Sequence, residues 1–442
     1  MIRKRWCALA VAALVTGNTW AQTPLPSQPL PTSSSVIVIP EKSGSVRLIQ
    51  YGEKPPTITG QPAPAEQPRL AEEQAPAEGG EGPLGPTPPE NLGFLQTDNM
   101  KDARLNIFGW FDFGYTSASN GRGILPVETR ENRFGNEFLF NQIAVVIERT
   151  LDPENLSFGF RIEPYGGADA ALLNPLGSVE KHPDPRFGFD FRQLYLSAHL
   201  PILTDGGVDV KAGRMYTVIG YESAMAPYRP FYSNDYQWFY AQDGANTGIQ
   251  TNWHITPQLN WINGVTMGAN TFFTERGESD VYYTQINYWL QEEKNTLLSF
   301  TLFTGDQAFI SAGNWATVIE FRIQQNWSKY LTQIIQSDEG WEHNVPGLGD
   351  TQFQSLYNIF VDHLSCTWDL TNRIEWFGDS EGARTGFKTA YEEITVGADW
   401  HPAKWVQVRP EIRWDYANDA RVWRHGQDHY DLTAAVDCLL KF

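Results

Sequence analysis

The sequence predicts an all-β protein, a transmembrane antiparallel up-and-down β-barrel of about 16 strands with long external loops and short periplasmic turns. Three observations predict it. Segments of roughly ten residues with period-two alternation recur from Ala103 to Phe442, short and long connections alternate between them, and tryptophans gather beside the short ones.

The front of the chain is of another kind. Residues 1–21 read as an export signal that is removed: Arg3, Lys4 and Arg5 give the charged start, Ala8 to Val15 the apolar core, and Thr19-Trp20-Ala21 the cleavage site. Cys7 leaves with it, and Cys366, in a tight turn, and Cys438, outward on the last strand, are not placed to form a bridge. Residues 22–100 hold 15 of the 28 prolines and read as a Pro-rich disordered periplasmic arm. One island, Val36 to Ile39 with Val46 to Tyr51, reads as a slightly sticky linker, with a hairpin or docking on a partner as the alternative.

From 101 to 442 no apolar run approaches the 18 or so residues of a membrane helix. Successive side chains of a strand point to opposite faces, so period-two alternation marks strands. They lie at 103–117, 137–149, 156–163, 188–199, 207–215, 244–253, 258–270, 280–290, 295–304, 314–326, 329–338, 351–364, 367–378, 389–400, 404–414 and 428–441. In 404–414, Val406, Val408, Pro410, Ile412 and Trp414 oppose Gln407, Arg409, Glu411, Arg413 and Asp415. The last strand sets Tyr430, Leu432, Ala434, Val436, Cys438 and Leu440 against a mostly polar face and stops on Phe442, so Leu440 and Phe442 read as an assembly signal for the barrel-assembly machinery.

Seven connections are short, at 151–155, 201–206, 254–257, 291–294, 327–328, 365–366 and 401–403. Eight are long, at 118–136, 164–187, 216–243, 271–279, 305–313, 339–350, 379–388 and 415–427, and the two kinds alternate throughout. Trp253, Trp289, Trp327, Trp368, Trp400 and Trp405, with Tyr330, stand beside short turns, as an interfacial girdle requires. An open sheet edge in hydrocarbon would strand its N–H and C=O groups, so the sheet must close, and sixteen strands leave a lumen.

The inward positions are charged and mixed in sign: Arg161, Glu163, Glu320, Arg322, Arg373, Glu375, Arg409, Glu411, Arg413 and Asp415. In a wide water-filled lumen they are expected to keep their hydration and to tune which solutes pass. The loop 216–243 is too aromatic for a solvent loop and is expected to fold inward, with Glu222, Arg229 and Asp235 narrowing the channel; an external cap or subunit contact is the alternative.

Gly213-Arg214, Gly220-Tyr221-Glu222, Pro230-Phe231-Tyr232-Ser233, Tyr236 and Asn246-Thr247-Gly248, with Phe160-Arg161, Tyr165-Gly166 and Asp169 earlier, resemble the signature of the bacterial putative β-barrel porin-2 family over about 103–442. The resemblance implies a porin-like channel in the bacterial cell outer membrane, passing small hydrophilic solutes and ions by diffusion; its permeant does not carry over. By analogy with porins of this size, a homotrimer is expected. An anchoring role through an arm that contacts the cell wall stays open, as does an outer-membrane hydrolase.

The chain is read as lacking a G-x-S-x-G elbow, H-E-x-x-H, a phosphate-binding P-loop and a paired C-x-x-C, so no catalytic residue, metal or cofactor is expected. His425 and His429, with Asp428 and Asp431, read as a solvated loop. Removing the signal, which carries three basic and no acidic residues, takes the net charge from −19 to −22. That excludes nucleic acid as a partner, leaves membrane lipid and small solutes, and favours cations weakly.

Overall fold

The computed structural model describes residues 92–119, 132–242, 244–277, 280–291, 294–306 and 315–442, with the backbone alone of 36–40, 46–50 and 123–124. Sixteen antiparallel strands close into one barrel. They are β1 (Leu105–Ala118), β2 (Glu137–Arg149), β3 (Ser157–Gly167), β4 (Gly188–Leu200), β5 (Val208–Tyr216), β6 (Ala245–Thr256), β7 (Leu259–Thr266) and β8 (Val281–Trp289). Then follow β9 (Thr296–Asp306), β10 (Trp315–Ser328), β11 (Leu331–Val345), β12 (Gly349–Ser365), β13 (Trp368–Asp379), β14 (Thr389–Ala403), β15 (Val406–Ala417) and β16 (Tyr430–Lys441). Each strand pairs with its sequence neighbours, and β16 returns to β1.

The barrel closes at the seam between β16 and β1. β16 pairs with β1 from Thr433↔Ala118 to Lys441↔Trp110. Phe442 and Gly109 then exchange two N–H···O bonds of 2.9 Å, and the Phe442 ring lies 5.5 Å from that of Phe111. Gly109 is required there: a Cβ would come within 2.2 Å of the Ala144 carbonyl and 2.6 Å of the Phe442 ring.

The burial pattern is inside-out. Phe321 and Ile412 are each 60% exposed on the outer face, whereas their neighbours Glu320 and Arg413 are 0% exposed on the inner one. An apolar exterior is what hydrocarbon selects, and the alternation of each strand delivers the polar set to the lumen. On β16, Leu432 and Val436 point out while Asp431, Thr433 and Asp437 point in.

Trp327, Trp368, Trp400, Trp405 and Tyr330 are exposed beside the short turns, and Trp368 stacks on its cross-strand partner Trp400 at 5.6 Å. Trp253 is half-buried. Trp289 departs from the expected girdle. The phase of β8 sends Tyr282, Ile286 and Tyr288 outward, so Trp289 turns into the lumen and Tyr288 takes the interfacial place.

Two further expectations need correction. The connection read as a long loop over 339–350 is a tight turn of residues 346–348, because β11 and β12 run on to Val345 and from Gly349. Asn344, Gly347 and Gly349 take positive φ there, which lets the chain reverse in so few residues. The end of the supposed disordered arm also folds. Thr97 caps α1 (Asp98–Asp102) by accepting the Met100 N–H, and Gln96 donates to the Leu105 carbonyl at 2.8 Å. Upstream, Val36–Pro40 pairs with Val46–Gln50, so the island forms its hairpin. The export signal lies outside the described residues, as does the remainder of the arm.

Cys366 and Cys438 are free thiols. In the first short turn, Arg104 donates to Asp152 at 2.6 Å and holds that carboxyl down at about 2.

Phe442→Ala and Gly109→Ala are expected to lower the fraction of protein that migrates as a compact unheated barrel in dodecyl sulfate. Barrels that still assemble should keep the ion preference of the parent, a comparison made by bilayer recording.

Candidate pore constriction

The segment 217–244 connects β5 to β6 and turns into the barrel. Its described residues are all buried apart from the half-buried Val218 and Pro227. It carries a 3-10 turn, Ala226–Tyr228, and among the described residues two helices sit against the lumen: α2 (Ala168–Leu172) after β3, and α3 (Tyr236–Tyr240) within this segment.

A chain that leaves the wall must find partners for its backbone groups, and here charged wall residues supply them. Glu375 accepts the first two N–H groups of α3, Tyr236 at 2.7 Å and Gln237 at 2.8 Å, while Asp235 accepts that of Trp238. These are the groups a helix leaves unpaired at its N-terminus, and negative charge is favoured there. Glu411 accepts from Tyr232 and Ser233 at 3.0 and 3.2 Å. Glu320 accepts the Gly220 N–H, and Arg322 donates to the Gly220 carbonyl. Arg409 donates to the carbonyls of Ala226 and Arg229 at 2.8 and 2.7 Å. Arg413 donates to that of Asn234 and pairs with Asp415 at 2.8 Å.

The side chains of the segment complete the frame. Glu222 accepts the Asp235 N–H at 3.0 Å and pairs with Arg373, which also bonds Glu393 at 3.0 Å. Arg229 crosses to Asp112 on β1 at 3.1 Å and approaches Asp169 of α2 at 3.6 Å. The contacts therefore run from β1 to β10, β13 and β15, and the segment spans the lumen. Aromatic packing adds to them. The Tyr236 ring stacks on Tyr391 at 4.9 Å and Phe377 at 6.1 Å, and Tyr391 meets Trp423 edge-on at 6.2 Å. Such pairs contribute about 0.5–1.5 kcal/mol each beyond their burial.

Every inward residue singled out in the sequence faces the lumen, but few of them stand as hydrated wall groups. All ten are buried, and eight of them, Glu320, Arg322, Arg373, Glu375, Arg409, Glu411, Arg413 and Asp415, bond backbone groups or side chains of the segment. Asp415 accepts the Tyr236 hydroxyl at 2.9 Å. Arg161 and Glu163 serve the neighbouring wall: Arg161 bonds Glu148 and Glu163 at 2.8 Å, and Glu163 accepts the Tyr216 hydroxyl at 2.6 Å. The expectation of free hydration fails because the loop that narrows the channel occupies the space beside them. Leu440 and Phe442 lie at the seam, away from the constriction.

Sequence reasoning passed over several partners. Asp112, Asn141, Gln142, Gln336 and Asp338 hold the same segment: the Tyr232 hydroxyl donates to Asn141 at 2.7 Å, Gln142 donates to the Ala224 carbonyl at 2.7 Å, and Gln242 donates to Asp338 at 3.2 Å. The inward parity of Asp112, Gln336 and Asp338 follows the alternation, whereas the consecutive Asn141 and Gln142 both turn inward only through a bulge in β2 opposite Asp112 and Phe113. The string Gly378-Asp-Ser-Glu-Gly382 has the spelling of a nucleophile elbow. Ser380 is exposed beyond β13 with bends rather than a helix after it, and Asp379 folds that loop by accepting the N–H groups of Ala383, Arg384 and Thr385. The required strand–turn–helix setting is absent there.

The family described as putative beta-barrel porin-2, OmpL-like, matches residues 104–442. No curated protein sequence matches the chain. Among solved structures it resembles the outer membrane channel DcaP of Acinetobacter baumannii, with TM-score 0.54 and 9% identity over 76% of this chain and 97% of that one. It also resembles OmpT, an outer membrane protein of Vibrio cholerae, at 0.51 and 9% over 76% and 97%. A third likeness is to an anion-selective porin from Comamonas acidovorans, at 0.50 and 11% over 76% and 99%. At these identities the likeness establishes a common barrel fold.

Arg373→Ala leaves Glu222 and Glu393 inside the barrel without their shared counter-charge. Losing one partner of a buried pair costs about 3–5 kcal/mol. A lower unfolding temperature in detergent is expected, with Glu222→Gln milder, and thermal melts of both variants check the order.

Proposed function

The chain belongs to the putative beta-barrel porin-2 family, and on that premise we propose that this outer-membrane porin is a narrow diffusion channel for small hydrophilic solutes and ions with a mild preference for cations. The observation that carries the reading is the inward segment 217–244, spanning the lumen on charged tethers from β1 to β15. A wide pore restrains solutes by size alone, whereas a constriction built of carboxylates and guanidinium groups also sorts them by charge.

The charge count supports the sign. Among the described residues, buried acidic side chains number 20 and buried basic ones 11, nearly all of them inside the barrel. An acidic lumen raises the local concentration of cations and lowers that of anions. The Comamonas porin named above is anion-selective, so the shared fold leaves the sign to the side chains.

The same reading has residues 1–21 cleaved on export and 22–91 lying on the periplasmic side, where the even strand number puts both ends of the barrel. There the arm is available for contact with the cell wall. Assembly as a homotrimer and insertion by the barrel-assembly machinery through Leu440 and Phe442 complete it. The chemistry is passage, with no bond made or broken.

Purified protein in a planar bilayer is expected to give stepwise, long-lived conductance, and in a salt gradient a reversal potential of cation sign. Folded, inserted protein that stays electrically silent overturns the channel reading. An anion-sign reversal potential overturns the selectivity alone.

A further inference from the structure

We propose that Asp369, Asp399 and His401 form a binding site for a first-row divalent transition-metal cation such as Zn2+ at the short-turn rim of the lumen. Asp369 is the second residue of β13, and Asp399 lies directly opposite it on β14. Two carboxylates facing each other across a ladder repel, an arrangement that calls for a cation between them. His401, two residues further along β14, points to the same side: one ligand atom from each of the three residues lies within 4.8 Å of the others.

One oxygen of each carboxylate is held by a neighbour outside the trio, and the other faces the His401 imidazole, where a bound cation would replace the Nε2 proton. His363 Nδ1 lies 2.9 Å from Asp369 Oδ1, and Oδ2 turns toward His401 Nε2, 3.8 Å away. Gln407 Nε2 donates to Asp399 Oδ2 at 2.7 Å, and Oδ1 faces His401 Nε2 at 3.1 Å. Lys441 donates to the Gln407 carbonyl oxygen at 3.3 Å, which fixes the amide with its NH2 toward Asp399. Asp399 is 8% exposed, and apart from the His401 imidazole its buried Oδ1 has no hydrogen-bond partner. Two carboxylate oxygens, each carboxylate steadied from behind, and one imidazole nitrogen are the donors of a three-ligand Zn2+ site whose fourth position is left to water.

The opposite wall supplies the contrast. Eight strands away, Asp209 of β5 sits between His199 at 2.6 Å and His254 at 2.9 Å, one on each oxygen. That carboxylate is fully used, it has no second acid opposite it, and it offers no donor set. The sequence expectation of no metal rested on spacing along the chain; Asp369 is 30 residues from Asp399 and meets it and His401 only through strand pairing.

The test uses the full chain folded in detergent, freed of metal with a chelator and titrated with Zn2+ by calorimetry and with Co2+ by visible absorption. One equivalent should bind. Asp399→Asn and His401→Gln should each weaken binding by at least about tenfold, the scale that even outer partners of metal ligands produce, while Asp209→Asn leaves it unchanged. Folding of each variant is read from heat-dependent migration; if Asp399→Asn does not fold, His401→Gln carries the test. Wild-type protein without saturable binding overturns the site, since His401 would then act only as the counter-ion of two acids. So does binding that both variants leave intact, which would place the metal elsewhere.

Discussion

In hydrocarbon a backbone N–H or C=O has no water to turn to, so each one must be paired within the protein, and every other feature of this barrel follows from that demand. Sixteen strands satisfy it only because β16 meets β1. The seam ends on the reciprocal bonds between Phe442 and Gly109, with the aromatic ring resting where a side chain at 109 would have stood. A residue without a Cβ and a chain that stops on an aromatic are two halves of one joint.

The same demand acts again inside. A segment of 28 residues that leaves the wall at Tyr216 and rejoins it at Ala245 exposes its own backbone groups to the lumen. Acids of the wall receive its N–H groups and arginines of the wall receive its carbonyls. Glu375 at the start of α3 and Arg409 beneath Ala226 and Arg229 are complementary examples. The mixed charge of the lumen is thus a scaffold for the inward segment.

Strand parity was legible in the sequence because the bilayer outside and the polar lumen inside demand opposite residues, and Ile374 beside Arg373 states both demands in two letters. The inward course of the segment was legible too, from its aromatic content. Trp289 misled because tryptophan serves an interface and an interior equally well, and only the phase of β8, set by Ile286 and Tyr288, decides between them. The turn at 346–348 misled because its Gly and Asn residues have the composition of a loop while supplying the positive φ of a tight reversal. The partners Asp112, Gln142 and Asp338 could not be singled out, since contacts separated by 80 to 120 residues leave no mark on local pattern.

By itself the sequence determined the strand count, the meander, the face most strand residues show and the closing role of the terminal Phe442. These follow from periodicity and from the solvent on each side, which act residue by residue. Tertiary structure alone decided which inward groups meet. It sent Glu222 to Arg373 and Arg229 to Asp112, and it set Asp369 opposite Asp399 with His401 beside them. Register and barrel curvature bring such groups together across the lumen or the ladder, and neither is written in the spacing of residues along the chain.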